Sequence, residues 1–173
     1  MYFRNLLVAA AIAASAAATP AAAAGPAVQA ASSQALLLLP LTLTKIDDLD
    51  FGTIITSNSS GTVALNATTG ARSFAGGVAG VATAAGHRAY FGGAGTPSQQ
   101  VVVVIVPPTQ LTSINGDTID VLALTLDNAG NPIRTIDPVT KTFFVGVGGI
   151  LTIGANQPDG LYSASFQVTA NYQ

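Results

Sequence analysis

Apolar and polar side chains alternate along the last fourteen residues of the chain. The apolar positions are Tyr162, Ala164, Phe166, Val168, Ala170 and Tyr172. The residues between them are polar, except that Leu161 stands beside the opening Gly160. Because successive side chains of a strand point to opposite faces, the pattern predicts one long strand over 161–172 with one apolar face. Such a strand can complete a sandwich within its own domain or dock against another chain, and the alternation alone favours neither.

Short strand-like segments bounded by turn residues occupy most of the rest of the chain. Candidate strands cover residues 41–46, 49–55, 62–67, 71–74, 87–91, 99–106, 110–114, 118–126, 142–147 and 150–155. The dipeptide Asn115-Gly116 predicts a hairpin, because both central positions of that turn need positive φ. No segment after residue 36 repeats with a helical period. Many short strands at this spacing are typical of an all-β sandwich of antiparallel sheets.

Local composition leads to three narrower predictions. The β-branched run from Val101 to Val106, stopped by Pro107-Pro108, predicts a strand buried on both faces. Glycines scattered through residues 76–95 predict irregular or frayed edge structure. The pair Gly148-Gly149 predicts a break between two strands.

The N-terminal residues have the layout of a secretory signal peptide. Arg4 precedes a run of small apolar residues, and Ala22-Ala23-Ala24 offers a cleavage site before Gly25. We therefore expect a signal peptide over 1–24, a flexible leader over 25–39 (hereafter the leader) and a β-sandwich domain over 40–173. This organisation predicts export to the periplasm and then to the cell surface or the medium.

Charge and residue usage exclude several classes of function. The net charge is −2, with eight acidic and six basic residues and no basic stripe, so a nucleic-acid partner is not expected. No apolar run after the signal peptide is long enough for a membrane span, and the protein is not expected to be an integral membrane protein. Cysteine is absent, so no disulfide stabilises the exported domain.

Candidate chemistry is sparse. The chain has one histidine, His87, and no cysteine, and all its acids are Asp, so we expect neither an enzyme nor a cofactor. Asp47, Asp48 and Asp50 lie close together but alternate along the chain, so they cannot all face one site on a strand. A secreted hydrolase or a calcium-dependent sugar binder is the remaining and least favoured class, and no metal site is predicted.

Specific residues of the closing segment resemble the C-terminal signature of chaperone–usher pilus subunits. They are Gly160, the apolar residues at every second position after it, and the penultimate Tyr172. Residues 40–45, the motif Asp48-Leu49-Asp50-Phe51-Gly52, residues 61–63 and the closing motif together resemble a bacterial secreted-domain family of unknown function. Its layout is similar to that of the spore-coat-U-like (Csu-type) pilins.

This resemblance implies an immunoglobulin-like antiparallel β-sandwich that lacks one strand. A periplasmic chaperone would lend a strand to the open groove, an usher would take part in export, and the leader of the next subunit would later replace the chaperone strand, giving a fibre. The assembly strand would then comprise Gly160, Tyr162, Ala164, Phe166, Val168, Ala170, Tyr172 and Gln173.

The donor strand implied by the resemblance lies in the leader. One phase of residues 31–39 presents Ala31, Ser33, Ala35, Leu37 and Leu39, and Ala35, Leu37 and Leu39 are the predicted donor residues. Only the two leucines are large, so either assembly is weak or residues 31–39 complete their own domain. The sequence therefore predicts a non-enzymatic, pilin-like or fimbrial surface subunit. The alternative is a self-complete secreted β-sandwich with a structural or adhesive role.

Overall fold

The protein is described by a computed structural model over residues 29–173. The predicted signal peptide and residues 25–28 of the leader lie outside the described residues. Within 29–173 there is no α-helix, and no helix that is long and apolar enough to cross a membrane. The prediction of an all-β fold is confirmed.

Residues 29–173 form thirteen strands. They are β1 (Thr42–Asp47), β2 (Ile54–Ile55), β3 (Gly61–Leu65), β4 (Arg72–Gly76), β5 (Ala79–Gly80), β6 (Ala89–Ala94), β7 (Gln100–Val106), β8 (Gln110–Ser113), β9 (Thr118–Leu126), β10 (Ile133–Thr135), β11 (Thr142–Ile153), β12 (Tyr162–Ser163) and β13 (Gln167–Tyr172). Two 3-10 turns are also present, at Ala82–Ala84 and Asn128–Gly130. Residues 29–41 contain no strand.

The strands form two main antiparallel sheets. The large sheet has the order β1-β6-β11-β9-β8-β12, with β3 also paired to β11 and β4 paired to β3. This sheet curls into a half-barrel. The small sheet has the order β10-β7-β13, and β2 pairs with β5 separately. Among the described residues the small sheet therefore has three strands, whereas the large sheet has eight.

Strand β11 organises the large sheet. One edge pairs with β6 along Thr142–Val147 and then with β3 along Gly149–Ile153, while the other edge pairs with β9. The predicted break at Gly148-Gly149 is therefore wrong, because the strand continues through it. A Cβ at Gly148 would overlap the carbonyl oxygen of Leu65, so glycine there permits close main-chain approach rather than a turn.

The prediction of irregular structure over residues 76–95 holds for 76–88, which contain only the end of β4, β5, a 3-10 turn and an isolated bridge, and is wrong for 89–94. The latter residues form β6, which lies between β1 and β11 inside the large sheet. Gly93 faces the core, and a Cβ at this position would overlap the ring of Phe143. The glycine is required by a buried aromatic ring on the neighbouring strand.

Strand β7 is buried on one face, contrary to the prediction of burial on both faces. Val101 and Val103 are 0% and 1% exposed, whereas Val104 and Val106 are 46% and 55% exposed. The small sheet has no second layer on its outer face within the described residues, so its β-branched run remains half solvated.

The predicted C-terminal strand is divided in two. Its first part, β12, pairs with β8 in the large sheet, and its second part, β13, pairs with β7 in the small sheet. Residues 164–166 connect the two parts without a ladder. The alternation persists through the change of sheet, since the polar positions are exposed and the apolar positions, apart from Ala164, are partly buried.

Two clusters of apolar side chains make up the core. The first lies where β6, β7 and β11 face each other and includes Phe91, Val103 and Val145. The second lies beside the later half of β11 and includes Val63, Ile119 and Ile153. The small sheet contributes Val101 and Val103 to the first cluster and no buried residue to the second.

The adjacent pair Gly92 and Gly93 gives a matched test of the packing. We expect Gly93→Ala to lower the free energy of unfolding by about 1–3 kcal/mol, because the buried Phe143 ring cannot move away. Gly92→Ala should cost less, because its Cβ would meet only the ends of the Ile46 and Phe144 side chains, at 3.2 and 3.3 Å. Chemical unfolding of both variants measures the difference, and equal losses would contradict the packing argument.

Candidate functional site

The candidate site begins at the unpaired edge of β13 (hereafter the free edge). Within the described residues β13 pairs only with β7, and the Gln173 N–H donates to the Gln100 carbonyl at 3.0 Å. Bonded and non-bonded positions alternate along an antiparallel pair. The main-chain N–H and C=O groups of Val168, Ala170 and Tyr172 therefore point away from β7 and form the free edge.

The inner face of β13 is only partly covered. Val168, Ala170 and Tyr172 pack against the first core cluster but stay half-buried, unlike Val101 and Val103 on the neighbouring strand. Phe166, just before β13, meets Phe91 edge to face with ring centroids 6.3 Å apart. The strand thus has its apolar row inside the sandwich and lacks the cover that a further strand would supply.

Strand β1, at one end of the large sheet, shows the same feature. Among the described residues β1 pairs only with β6. Leu41 and Leu43 pack against the same cluster as Val168 and Tyr172. Both β1 and β13 therefore have one unpaired edge beside the same part of the core.

A groove of about 570 Å³ extends to Phe166, the residue just before β13. Its lining includes the segments 49–54 and 158–164, Thr56, Phe166 and apolar side chains such as Leu124, Leu151 and Ile153. Predicted site residues Gly160, Tyr162, Ala164 and Phe166 all belong to this lining. The groove lies over the second core cluster, where the small sheet contributes no buried side chain.

Arg72 holds the 49–54 segment in place. Its guanidinium donates to the carbonyls of Phe51, Val81 and Ala84 at 2.7, 2.9 and 3.2 Å. It also lies over the Phe74 ring, 4.9 Å from the centroid. The sequence did not predict this role, because the carbonyl groups that Arg72 contacts belong to residues distant from it in the chain.

Three residues fasten the end of the leader to the domain, and we call them the Leu39 clasp. The Leu39 N–H donates to Thr96 Oγ1 at 2.6 Å, and the Tyr172 hydroxyl donates to the Leu39 carbonyl at 2.8 Å. The same hydroxyl accepts the Thr96 N–H at 2.7 Å. The penultimate tyrosine therefore joins the beginning and the end of the domain, a role for Tyr172 and Thr96 that the alternation did not reveal.

The remaining predicted site residues are Gln173, after β13, and the donor residues Ala35, Leu37 and Leu39, before β1. Gln173 is exposed. Ala35 and Leu37 lie in the segment without strands, and Leu37 is 84% exposed. Leu39 is 50% exposed while its main chain is held by the clasp.

The polar candidates have structural partners. His87 is exposed, and its main chain forms an isolated bridge with Asp50. Asp48 pairs with Lys45 at 2.5 Å, and the Asp50 carboxylate accepts the Gly52 N–H at 2.7 Å. Among residues 29–173 no three His, Cys, Asp or Glu side chains are grouped as metal ligands.

One carboxyl group has a displaced pKa, and it is not among the groove-lining residues. Hydrogen bonds from the N–H groups of Thr140 and Val139 lower the pKa of Asp137 below its ordinary value. Asp137 stands in the turn before β11, where these bonds stabilise the charged form. The groove is lined mainly by apolar side chains, together with the polar side chains of Asp50, Thr53, Thr56 and Asp159.

Removing the clasp hydroxyl tests the role of Tyr172. We expect Tyr172→Phe to lower the free energy of unfolding by about 1–3 kcal/mol, because the part-buried Thr96 N–H loses its acceptor. Tyr90→Phe is the control, because the Tyr90 hydroxyl makes no hydrogen bond to the described residues and its ring is likewise half-buried. Denaturant unfolding compares the two, and equal stabilities would show that the clasp contributes nothing.

Comparisons with known proteins show the family and nothing finer. No curated protein and no solved structure matches the chain. A family model described as a domain of unknown function (DUF4402) matches residues 41–172. This match begins just after the clasp residue Leu39 and covers every strand of the two sheets. The protein therefore belongs to the DUF4402 family.

Proposed function

We propose that this protein is an exported, pilin-like or fimbrial surface subunit that assembles by donor-strand complementation. The leader of one copy adds a strand to the free edge of β13 in the next copy and inserts apolar side chains into the groove. The observation that carries the proposal is the free edge itself. Its main-chain groups have no partner among residues 29–173, and the apolar row beside it is half-buried and leads towards a groove of about 570 Å³.

A free edge of this kind favours strand addition. Unpaired N–H and C=O groups are a template for another strand, and exposed edges are normally blocked by charge, proline or a bulge. From Gln167 to Tyr172 the edge carries none of these features. In strand addition the main-chain hydrogen bonds supply affinity and alternate side chains fill pockets. Here the free edge can supply the hydrogen bonds and the groove can accept the side chains.

The direction of the chain favours a second copy as the donor. The clasp places Leu39 beside Tyr172, at the C-terminal end of β13. A chain's own leader could therefore approach the free edge only with its C-terminal end at Tyr172, which makes it parallel to β13. The leader of a second copy has no such constraint and can pair antiparallel, the slightly more stable arrangement.

The exposed leucines of the leader include the apolar side chains that assembly needs. Leu36, Leu37, Leu38 and Leu39 are 74%, 84%, 40% and 50% exposed. Burying one large apolar side chain is worth about 1.5–3 kcal/mol, so leaving four in water is costly. The resemblance of the closing motif to chaperone–usher pilins supports the same conclusion. It adds a periplasmic chaperone as the partner that covers the edge before an usher and the next subunit act.

A proline scan of β13 tests strand addition at the main chain. Ala170→Pro should abolish assembly of the chain that begins at residue 25, because it removes an N–H from the free edge and leaves the β7 ladder intact. Asn171→Pro should instead lower the free energy of unfolding by about 3 kcal/mol or more, because that N–H faces β7. Light scattering after gel filtration reports assembly, and thermal unfolding reports stability.

Two controls complete the test. Ala170→Val keeps the N–H and should still assemble. Deletion of residues 25–38 should yield monomers, and a synthetic peptide of that sequence should compete with assembly of the intact chain. If the intact chain is a monomer with a cooperative thermal transition, or if the deletion leaves oligomers unchanged, the proposal is wrong and the self-complete sandwich stands.

A further inference from the structure

We infer that the donated strand ends at Leu38, and that Leu36 and Leu38 of a second copy enter the groove rather than Leu37 and Leu39. The inference rests on the proposed function and specifies the partner segment of the same site. Its basis is the Leu39 clasp, which uses the main chain of a residue that the alternation of the leader assigned to the donor strand.

The main chain of Leu39 is fully engaged within its own domain. Its N–H donates to Thr96 Oγ1 and its carbonyl accepts from the Tyr172 hydroxyl. A residue in a sheet ladder uses the same two groups to pair with the neighbouring strand. Only alternate residues of an added strand use these groups towards the acceptor, but the clasp also holds Leu39 against its own domain. The leader is therefore free to follow a second copy only as far as Leu38, and Pro40, next along the chain, has no N–H to offer.

The side chains of the leader form two alternating sets, or phases, one on each face of the strand. Ending the donor strand at Leu38 changes which phase contains more large apolar side chains. The phase that contains Leu37 then has one large side chain, preceded by Ala35 and Ser33. The opposite phase has two, Leu36 and Leu38. Side chains of a strand alternate between faces, so only one phase can enter the groove, and the second phase buries one more leucine.

The favoured phase also carries Gln34, whose amide needs hydrogen-bond partners on burial. The groove supplies such partners, because its lining includes Asp50, Thr53 and Thr56 as well as apolar side chains. A side chain with both an amide donor and an amide acceptor matches this mixture of carboxylate and hydroxyl groups.

Single Leu→Asn substitutions in the chain that begins at residue 25 separate the two phases. We expect Leu36→Asn and Leu38→Asn each to weaken assembly at least about tenfold, measured as the dissociation constant from dilution and light scattering. Leu37→Asn and Leu39→Asn are the matched controls and should stay within about twofold of the unmodified chain. These positions lie outside both sheets, so folding of the domain should be preserved in all four variants.

The possible results distinguish this inference from the proposed function. If Leu37→Asn weakens assembly and Leu36→Asn and Leu38→Asn do not, the phase is wrong while strand donation stands. If all three weaken assembly equally, the phase is again wrong. If deletion of residues 25–38 leaves oligomers unchanged, the proposed function itself fails.

Hydrogen exchange tests the end point of the donor strand independently. In the monomeric Ala170→Pro chain, the Leu39 amide should exchange more slowly than the Leu37 amide, because the clasp holds it. On assembly of the unmodified chain, alternate amides within residues 34–38 should become protected, because only every second N–H faces β13, and that of Leu39 should change little. A Leu39 amide that exchanges freely in the monomer and becomes protected only on assembly would overturn the inference.

Discussion

Main-chain pairing along β11 is the constraint on which the rest of the structure depends. This strand serves three neighbours, β6 and β3 on one edge and β9 on the other, and its main chain is buried from Val145 to Gly149. Buried N–H and C=O groups must all find partners, so the neighbours have to approach closely at the point where β6 gives way to β3. Glycines at 146, 148 and 149 remove the Cβ atoms that would prevent that approach.

The unpaired edges follow from this arrangement. Within the described residues, β11 and seven other strands form the curled large sheet, whereas β10, β7 and β13 form the small sheet. The small sheet covers the first core cluster and leaves the second beside the groove. Because strands at a sheet margin keep one unpaired edge, β1 and β13 present their main chains next to half-buried apolar side chains. A strand supplied by another copy would satisfy the hydrogen bonds and cover the apolar surface at once.

Sequence reasoning succeeded where the pattern is local and failed where it depends on a distant neighbour. The alternation from Tyr162 to Tyr172 correctly separated the partly buried from the exposed side chains except at Ala164, because a two-residue period reflects backbone geometry alone. It did not reveal that the segment changes sheets at residues 164–166, since pairing partners lie far away in sequence. Likewise Gly148 was interpreted as a break, and the carbonyl of Leu65 that explains it is not visible from the local sequence.

The sequence by itself determined the all-β class, most strand positions and the inner and outer faces of the closing strand, because these depend on residue type and two-residue spacing. Only the tertiary structure decided that the inner row of β13 would remain half-buried, that Arg72 would hold the groove segment and that Tyr172 would fasten Leu39. Each of these depends on which strands become neighbours. That choice is made by the packing of the whole core and by main-chain hydrogen bonds between residues far apart in the chain.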